Sequence, residues 1–225
     1  RDKAGAIRSG VPVVTGALGI GLEVIRPIAA EREAPLYALS EENPMFDLSV
    51  QPSLQGRFQL QNARLAVAAL RLMGYSEAVI STGLSTAVHP GRMQRLTYRG
   101  VPVVLDGAHN PPAARALIDE FEGYHLVFGA FPRKDYHTML QTLLPKAKSV
   151  RYAYAARGAL RAEALSHEYP ASYFEHPLEA LDHATQSARE DGKPVLVTGS
   201  LYLVGEMLKL LEAQPSANPP SIELA

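Results

Sequence analysis

From residue 89 onward the chain alternates short apolar runs with amphipathic stretches. VPVVLD (101–106), HLVFGA (125–130), SVRYAYA (149–155) and PVLVTG (194–199) have the length and apolar density of buried strands, and RMQRLTY (92–98) reads as a strand before them. Between and after them, PPAARALIDEF (111–121), DYHTMLQTLL (135–144), a stretch near 161–167, residues 176–190 and SLYLVGEMLKLLEA (200–213) read as helices. Strands buried on both faces and alternating with amphipathic helices predict an α/β fold with a mainly parallel sheet. Residues 1–88 have a different rhythm. VPVVTGA (11–17) reads as a buried strand, LEVIRPIAAERE (22–33) as a helix in which Pro27 either kinks the axis or sits near its start, and APLYAL (34–39) is a short apolar run. Asn43-Pro44, Pro52 and Ser53 mark loop, RFQLQNARLAVAALRLM (57–73) is a helix capped by Gly74, and another helix starts at Ser76. His89-Pro90-Gly91 breaks the pattern and predicts a boundary between residues 1–88 and 89–213; QPSANPPSIELA (214–225), with three prolines, is expected to be a mobile tail.

Composition narrows the classes. The 225 residues are 47% hydrophobic, enough for a buried core, and carry a formal net charge of −1. Charge near zero gives no field to hold nucleic acid or an anionic membrane. The absence of cysteine excludes disulfides, thiolate zinc sites and cysteine nucleophiles. No apolar run approaches the ~20 residues of a membrane span and no signal peptide opens the chain, so the expectation is a cytoplasmic globular protein, monomeric, without nucleic-acid or membrane partners. The seven histidines lack metal-site spacing, and no G-x-S-x-G is present to support a nucleophilic serine. Gly19-Ile20-Gly21 before a helix, with Glu41 further on, imitates a dinucleotide fingerprint, but Val24 stands where the third glycine belongs.

The densest candidate chemistry lies in VPVVLDGAHNPPAARALIDEF (101–121). Asp106 falls at the carboxyl end of a buried strand, where open α/β sheets bind ligands. Asn110 is a good N-cap and Pro111 a favoured first helical residue, so a helix should begin there. Asp106, His109 and Asn110 then surround a helix N-terminus, whose free amides attract anions. The pattern is equally served by Asp and Asn satisfying the backbone of a tight turn.

HPGRMQRLTYRGVPVVLDGAHNPPAA (89–114) resembles the segment linking two domains of folylpolyglutamate synthase/dihydrofolate synthase, a branch of the Mur ligase superfamily. DKAGAIRSGVPVVTG (2–16), LQGRFQLQNARLAVAAL (54–70), VFGAFPRKDYHTML (127–140) and VLVTGSLYLVGEML (195–208) resemble other family segments in the same order. The resemblance implies the tail of a P-loop ATPase domain over 1–88, followed by a Rossmann-like domain of about six strands over 89–213. It implies a ligase in which ATP, with Mg²⁺, activates a folate or dihydropteroate carboxylate as an acyl phosphate that L-glutamate then attacks. Residue by residue, Lys3 matches a lysine carbamylated in the family, which helps hold Mg²⁺. Asn62, Arg92 and Asp106 match ATP-site residues. His109 is placed to assist the acyl phosphate or the glutamate, and Asn110 and Ser200 to hold the amino acid, Ser200 being equally readable as a plain N-cap. This chain departs from the family at Asp2 (usually Glu), at Phe58 (usually His) and at Arg133-Lys134-Asp135, where the first charge of Asp-Lys-Asp is reversed. It contains no G-x-x-x-x-G-K-[ST], which the family carries upstream of the residue matching Lys3, so these residues alone are expected to be inactive. The rival readings are a peptidoglycan peptide ligase of the same superfamily and a non-catalytic module that binds glutamate or nucleotide.

Overall fold

The computed structural model describes residues 2–213, with side chains from residue 4 onward, so the expected tail at 214–225 and the Lys3 side chain lie outside the described set. The chain divides into two compact units, Arg1–Val88 and His89–Ala225.

The first unit opens with a 3-10 turn, Asp2–Ala6, followed by β1 (Val13–Thr15), α1 (Ile20–Glu31) and β2 (Leu36–Ala38). A second 3-10 turn, Pro44–Phe46, precedes α2 (Arg57–Leu72) and α3 (Glu77–Thr86). β1 and β2 pair in parallel as a two-stranded sheet. The strand expected to be buried is not: all three residues of β1 are half-buried and Val11 is exposed, because β2 is its one partner among the described residues. Ala4, Ile7, Ala29 and Ala34 form a small core, flanked by Val13, Val24, Ile25 and Leu36. Pro27 sits in the body of α1 and not at its start. Ser76 caps α3 through its hydroxyl, as its position before the apolar run predicts. Arg71, in the last turn of α2, grips Glu77 through two nitrogens at 2.6 and 2.8 Å and donates to the carbonyls of Pro44 and Met45.

The second unit runs β3 (Gln94–Tyr98), β4 (Val101–Leu105), α4 (Pro111–Ile118), β5 (Tyr124–Phe128), α5 (Tyr136–Leu143), β6 (Ala147–Ala153), α6 (Ala162–Glu168), β7 (Ser172–Phe174), α7 (Pro177–Asp191), β8 (Val195–Thr198) and α8 (Leu201–Glu212). Its six strands form one sheet in the order β3-β4-β8-β5-β6-β7, parallel except for β3, which pairs antiparallel with β4. The last strand in sequence therefore lies between β4 and β5, and all four of its residues are buried. Side chains alternate across it. Val195 and Val197 join Val103, Leu105 and Val127 in a core against α7 and α8, while Leu196, Val104 and Leu126 point to the other face, where α4 and α5 pack on each other. β7 is the strand that pattern reading does not find. Three residues long, at the sheet edge, with Ser172 and Tyr173 exposed, it has no apolar run to announce it.

At the amino end of β5 a polar relay ties the sheet to α7. Arg151 donates to Ser149 Oγ, which lies 2.7 Å from His125 Nδ1, and His125 Nε2 reaches Asp191 Oδ1 at 3.0 Å. His125 is buried, and a neutral ring satisfies both contacts by accepting from Ser149 and donating to Asp191. The hydrogen bond from His125, helped by the Lys193 amide, holds the Asp191 carboxyl below its ordinary range. A carboxyl with a depressed folded pKa stabilises the fold above its unfolded pKa, and that contribution is lost as pH falls through the folded value. Asp191→Asn should therefore lower the melting temperature at neutral pH, and the gap from wild type should close on acidification below about pH 3.9, the ordinary aspartate value. A thermal-melt series across pH checks this, and a gap independent of pH contradicts it.

Candidate active site

The carboxyl end of β4 is shaped by a buried aspartate. Asp106 is 2% exposed; its Oδ2 accepts the Met93 amide at 2.9 Å and its Oδ1 the Ala108 amide at 2.8 Å. Met93 is itself held at φ +45°, a left-handed conformation that non-glycine residues rarely adopt, with its side chain buried. The Gly107 amide donates to the Gly91 carbonyl at 2.8 Å, so the segment before β3 and the turn after β4 are joined twice. Both glycines pass close to α8, and Gly91 also holds a left-handed backbone. A Cβ on Gly107 would stand 2.2 Å from the Leu201 side chain, and one on Gly91, at φ +72°, would stand 2.6 Å from Val204. Burial pushes the Asp106 carboxyl up, opposed by the amides of Met93 and Ala108 and then by the charges of Arg92 and His109.

With the turn fixed, the next residues have assigned tasks. His109 is half-buried, and its Nδ1 lies 2.9 Å from the Gly107 carbonyl. A carbonyl only accepts, so Nδ1 carries the proton and a neutral ring presents Nε2 as a lone pair. Asn110 Oδ1 accepts the Ala113 amide at 2.9 Å and starts α4 at Pro111, where the sequence predicts. Beside this turn, Ser200 is 3% exposed and caps α8, accepting the Tyr202 amide at 3.1 Å.

β4 and β8 are neighbours whose following helices, α4 and α8, leave toward opposite faces of the sheet. Such a switch point opens a crevice at the carboxyl ends of the strands. The crevice here is a cavity of about 680 Å³. Its wall is made by His109, by residues 131–134 of the β5–α5 loop, by Gly158 beyond β6 and by residues 199–202 at the start of α8. His109, Arg133 and Lys134 give it three basic side chains, and no acidic residue among the described ones lines it. Asp135, next in sequence, is turned to another use: its Oδ1 accepts the Thr138 amide at 3.1 Å to cap α5. Phe131 and Tyr202 stand with ring centroids 5.1 Å apart. At the end of β8 the Thr198 hydroxyl is buried without a hydrogen-bond partner.

Of the residues singled out from sequence, His109 and Ser200 meet in this wall. Asp106 lies behind it with both oxygens taken by backbone amides, and Asn110 is engaged in its cap. Arg92, half-buried, precedes β3 close enough to Asp106 to influence its carboxyl. Asn62 belongs to the first unit, where its Nδ2 donates to Gln59 Oε1 within α2 at 2.9 Å. Arg133 and Lys134 enter the sequence reading only as a departure from a family motif, and Phe131 and Tyr202 not as site residues; the signal for all four is their position after β5 and β8, at the binding edge of a parallel sheet. Among the described residues no group of three or more His, Asp or Glu side chains is arranged to hold a metal.

Residues 91–201 match the family described as Mur ligase, glutamate ligase domain. The chain is 28% identical over 250 residues to the dihydrofolate synthase/folylpolyglutamate synthase of Bacillus subtilis (strain 168), which covers 94% of this chain and 57% of that protein. Among solved structures, Mycobacterium tuberculosis folylpolyglutamate synthase complexed with ADP and AMPPCP shares the fold with a TM-score of 0.82 at 23% identity, over 95% of this chain and 59% of that one. The Yersinia pestis bifunctional folylpolyglutamate synthase/dihydrofolate synthase complexed with AMPPNP and Mn ion aligns with a TM-score of 0.75 at 26% identity, over 94% of this chain and 55% of that one. The chain thus spans less than two thirds of each of these proteins.

Removing the Asp106 carboxylate should release two buried amides together. Asp106→Ala is expected to cost about 2–4 kcal/mol, the penalty for two orphaned donors less the relief of unburying a charge. Asp106→Asn, which keeps one acceptor oxygen, should cost less. Chemical denaturation checks the order, and an Ala variant as stable as wild type removes the staple.

Proposed function

We propose, for a chain whose residues 91–201 match the family described as Mur ligase, glutamate ligase domain, and which resembles part of folylpolyglutamate synthase/dihydrofolate synthase, that it is the amino-acid-receiving part of an ATP-dependent ligase. The reaction joins the amine of L-glutamate to the carboxyl of a folate or dihydropteroate. ATP transfers its γ-phosphoryl group to that carboxylate and leaves as ADP. The amine then attacks the acyl carbon, the C–O bond to phosphate breaks, and an amide and inorganic phosphate result.

The observation that carries this reading is the cavity at the switch point: two cations, Arg133 and Lys134, beside the His109 ring, the amino end of α8, and no acidic group among the described residues of the wall. Such a site favours an anionic ligand. In it His109 serves as the base. With Nδ1–H held by the Gly107 carbonyl, Nε2 is free to take the proton that the ammonium of the amino acid must lose before it attacks. Ser200 and the adjoining amides of α8 hold the α-carboxylate, and Asn110 acts by fixing the start of α4 next to them. Arg92 pairs its guanidinium fork with ATP phosphate oxygens. Asp106 contributes to that site by holding the Gly91–Met93 segment in place; Asn62, within the first unit, matches a family ATP-site residue.

Mg²⁺ belongs to the proposal through the phosphates of ATP and, with its side chain outside the described set, through Lys3 as a carbamate. The described side chains offer no ligand set of their own. The ligase is proposed to be cytoplasmic and monomeric; no helix among the described residues is long and apolar enough to cross a membrane.

Four measurements test this. In the complete ligase, His109→Gln should lower kcat by about 10²–10⁴, the usual contribution of a positioned base, with a smaller change in KM for glutamate; an unchanged kcat removes His109 from the chemistry. Arg92→Ala should weaken ATP use by about 1–3 kcal/mol, as for a charged hydrogen bond. The 225-residue chain by itself, lacking a phosphate-binding loop, should form no ADP in the presence of glutamate and a reduced folate. The complete ligase should turn over with a folate acceptor, and turnover with a nucleotide-linked muropeptide alone would replace the folate reading.

A further inference from the structure

We infer that Val204 is a positioning residue for ATP use: on the reading that Arg92 grips the ATP phosphates, Val204 of α8 is the apolar stop against which the segment carrying Arg92 is held.

Residues 91–93 do not keep their shape unaided. Gly91 and Met93, on either side of Arg92, stand at φ +72° and +45°, and the left-handed backbone of Met93 is one that a side chain disfavours. Such a conformation persists only where its surroundings impose it. Polar contacts fix the two flanking residues: the Gly107 amide donates to the Gly91 carbonyl, the Met93 amide to Asp106, and Gln94 Oε1 accepts the Gly91 amide at 2.9 Å. The other contact is apolar. A Cβ on Gly91 would stand 2.6 Å from a γ-methyl of Val204 and 3.7 Å from its Cβ, so the bare backbone of Gly91 lies directly on that side chain. Val204 is 2% exposed and belongs to the core beneath α7 and α8. Its branch at Cβ leaves one strongly preferred side-chain conformation in a helix, so the methyl does not swing aside.

The helix behind Val204 is itself anchored. Ser200 caps it, the Val204 amide donates to the Ser200 carbonyl at 3.2 Å, and the Gly199 amide donates to the Ala108 carbonyl at 3.1 Å. The turn that holds the Gly91 carbonyl thus also sets the start of α8, and Val204, one helical turn in from the cap, meets the segment with little play. A guanidinium fork that matches phosphate oxygens tolerates little displacement. Without the stop, the strained backbone at Met93 relaxes into the vacated space and carries Arg92 with it.

The test is a double-mutant cycle in the complete ligase, with KM for ATP and kcat measured for wild type, Val204→Ala, Arg92→Ala and the pair. Val204→Ala should raise KM for ATP by about two- to tenfold, the size of coupling between groups in contact, with a smaller change in kcat. In the Arg92→Ala background it should change KM little, because the group it positions is gone. Leu211→Ala, seven residues further along α8 and in the same core, reports lost stability alone. Its melting temperature should fall at least as far as that of Val204→Ala while KM stays at the wild-type value. Val204→Thr keeps the branched shape, with a hydroxyl able to bond the Ser200 carbonyl, and should keep the wild-type KM as well. Should Val204→Ala not fold, Gly91→Ala reads the same contact from the other side and should raise KM in a way that depends on Arg92. An unchanged KM in the variant that reads the contact while Arg92→Ala raises it, factors that multiply in the double variant, or an equal rise in Leu211→Ala each overturns the positioning role and leaves Arg92 in the ATP site. Wild-type ATP use by Arg92→Ala overturns the reading of Arg92 and this inference together.

Discussion

A carboxylate removed from water must be answered by donors, and Asp106 is answered by two backbone amides from segments thirteen and two residues away. That requirement organises the carboxyl edge of the second unit. It accounts for Met93 holding a left-handed backbone that its side chain disfavours, since only in that loop shape does its amide meet the carboxylate. It directs the turn after β4 so that Gly107 passes against Leu201 at the start of α8. It leaves the Gly107 carbonyl facing His109 Nδ1, which fixes the tautomer of the ring. A residue that matches an ATP-site position in sequence thus works first on the backbone, and the ring that faces the cavity depends on it.

The charge of the cavity follows from where the acids go. Asp106 and Asp135 lie immediately beside the wall, yet each is engaged with backbone amides, the first in a turn and the second at a helix end. Arg133 and Lys134 are left to set the sign of the space. Sheet order does the rest. With β8 inserted between β4 and β5, the loops that follow all three strands meet at one crevice, and α8 starts inside it.

Much of this was legible in the residues. The strands of the second unit announce themselves as apolar runs because both of their faces are covered, and α4 begins at Pro111 because Asn110 can do little else in that context. β7 was not legible, since an edge strand of three half-wet residues shares its composition with loop. β1 was over-read: an apolar run looks buried, but a strand with one described partner is covered only in part. At the site, the helix start places His109 from the residues alone, but no local pattern separates a ligand-facing histidine from one that satisfies a turn. Arg133, Phe131 and Tyr202 were invisible as wall residues because they come together only when the loops after β5 and β8 are neighbours, a fact of strand order and not of spacing along the chain.

The late position of β8 bears on how the polypeptide is made. β4 and β5 have no direct pairing with each other; the strand that joins them is added some seventy to ninety residues after theirs. A nascent chain leaving the ribosome therefore carries two half-sheets with open inner edges until residue 198 has emerged, and contacts so distant in sequence form slowly. During that interval the same edges are available to other chains. Synthesis rate and chaperone supply, more than the final stability of the sheet, should govern how much protein reaches its native form.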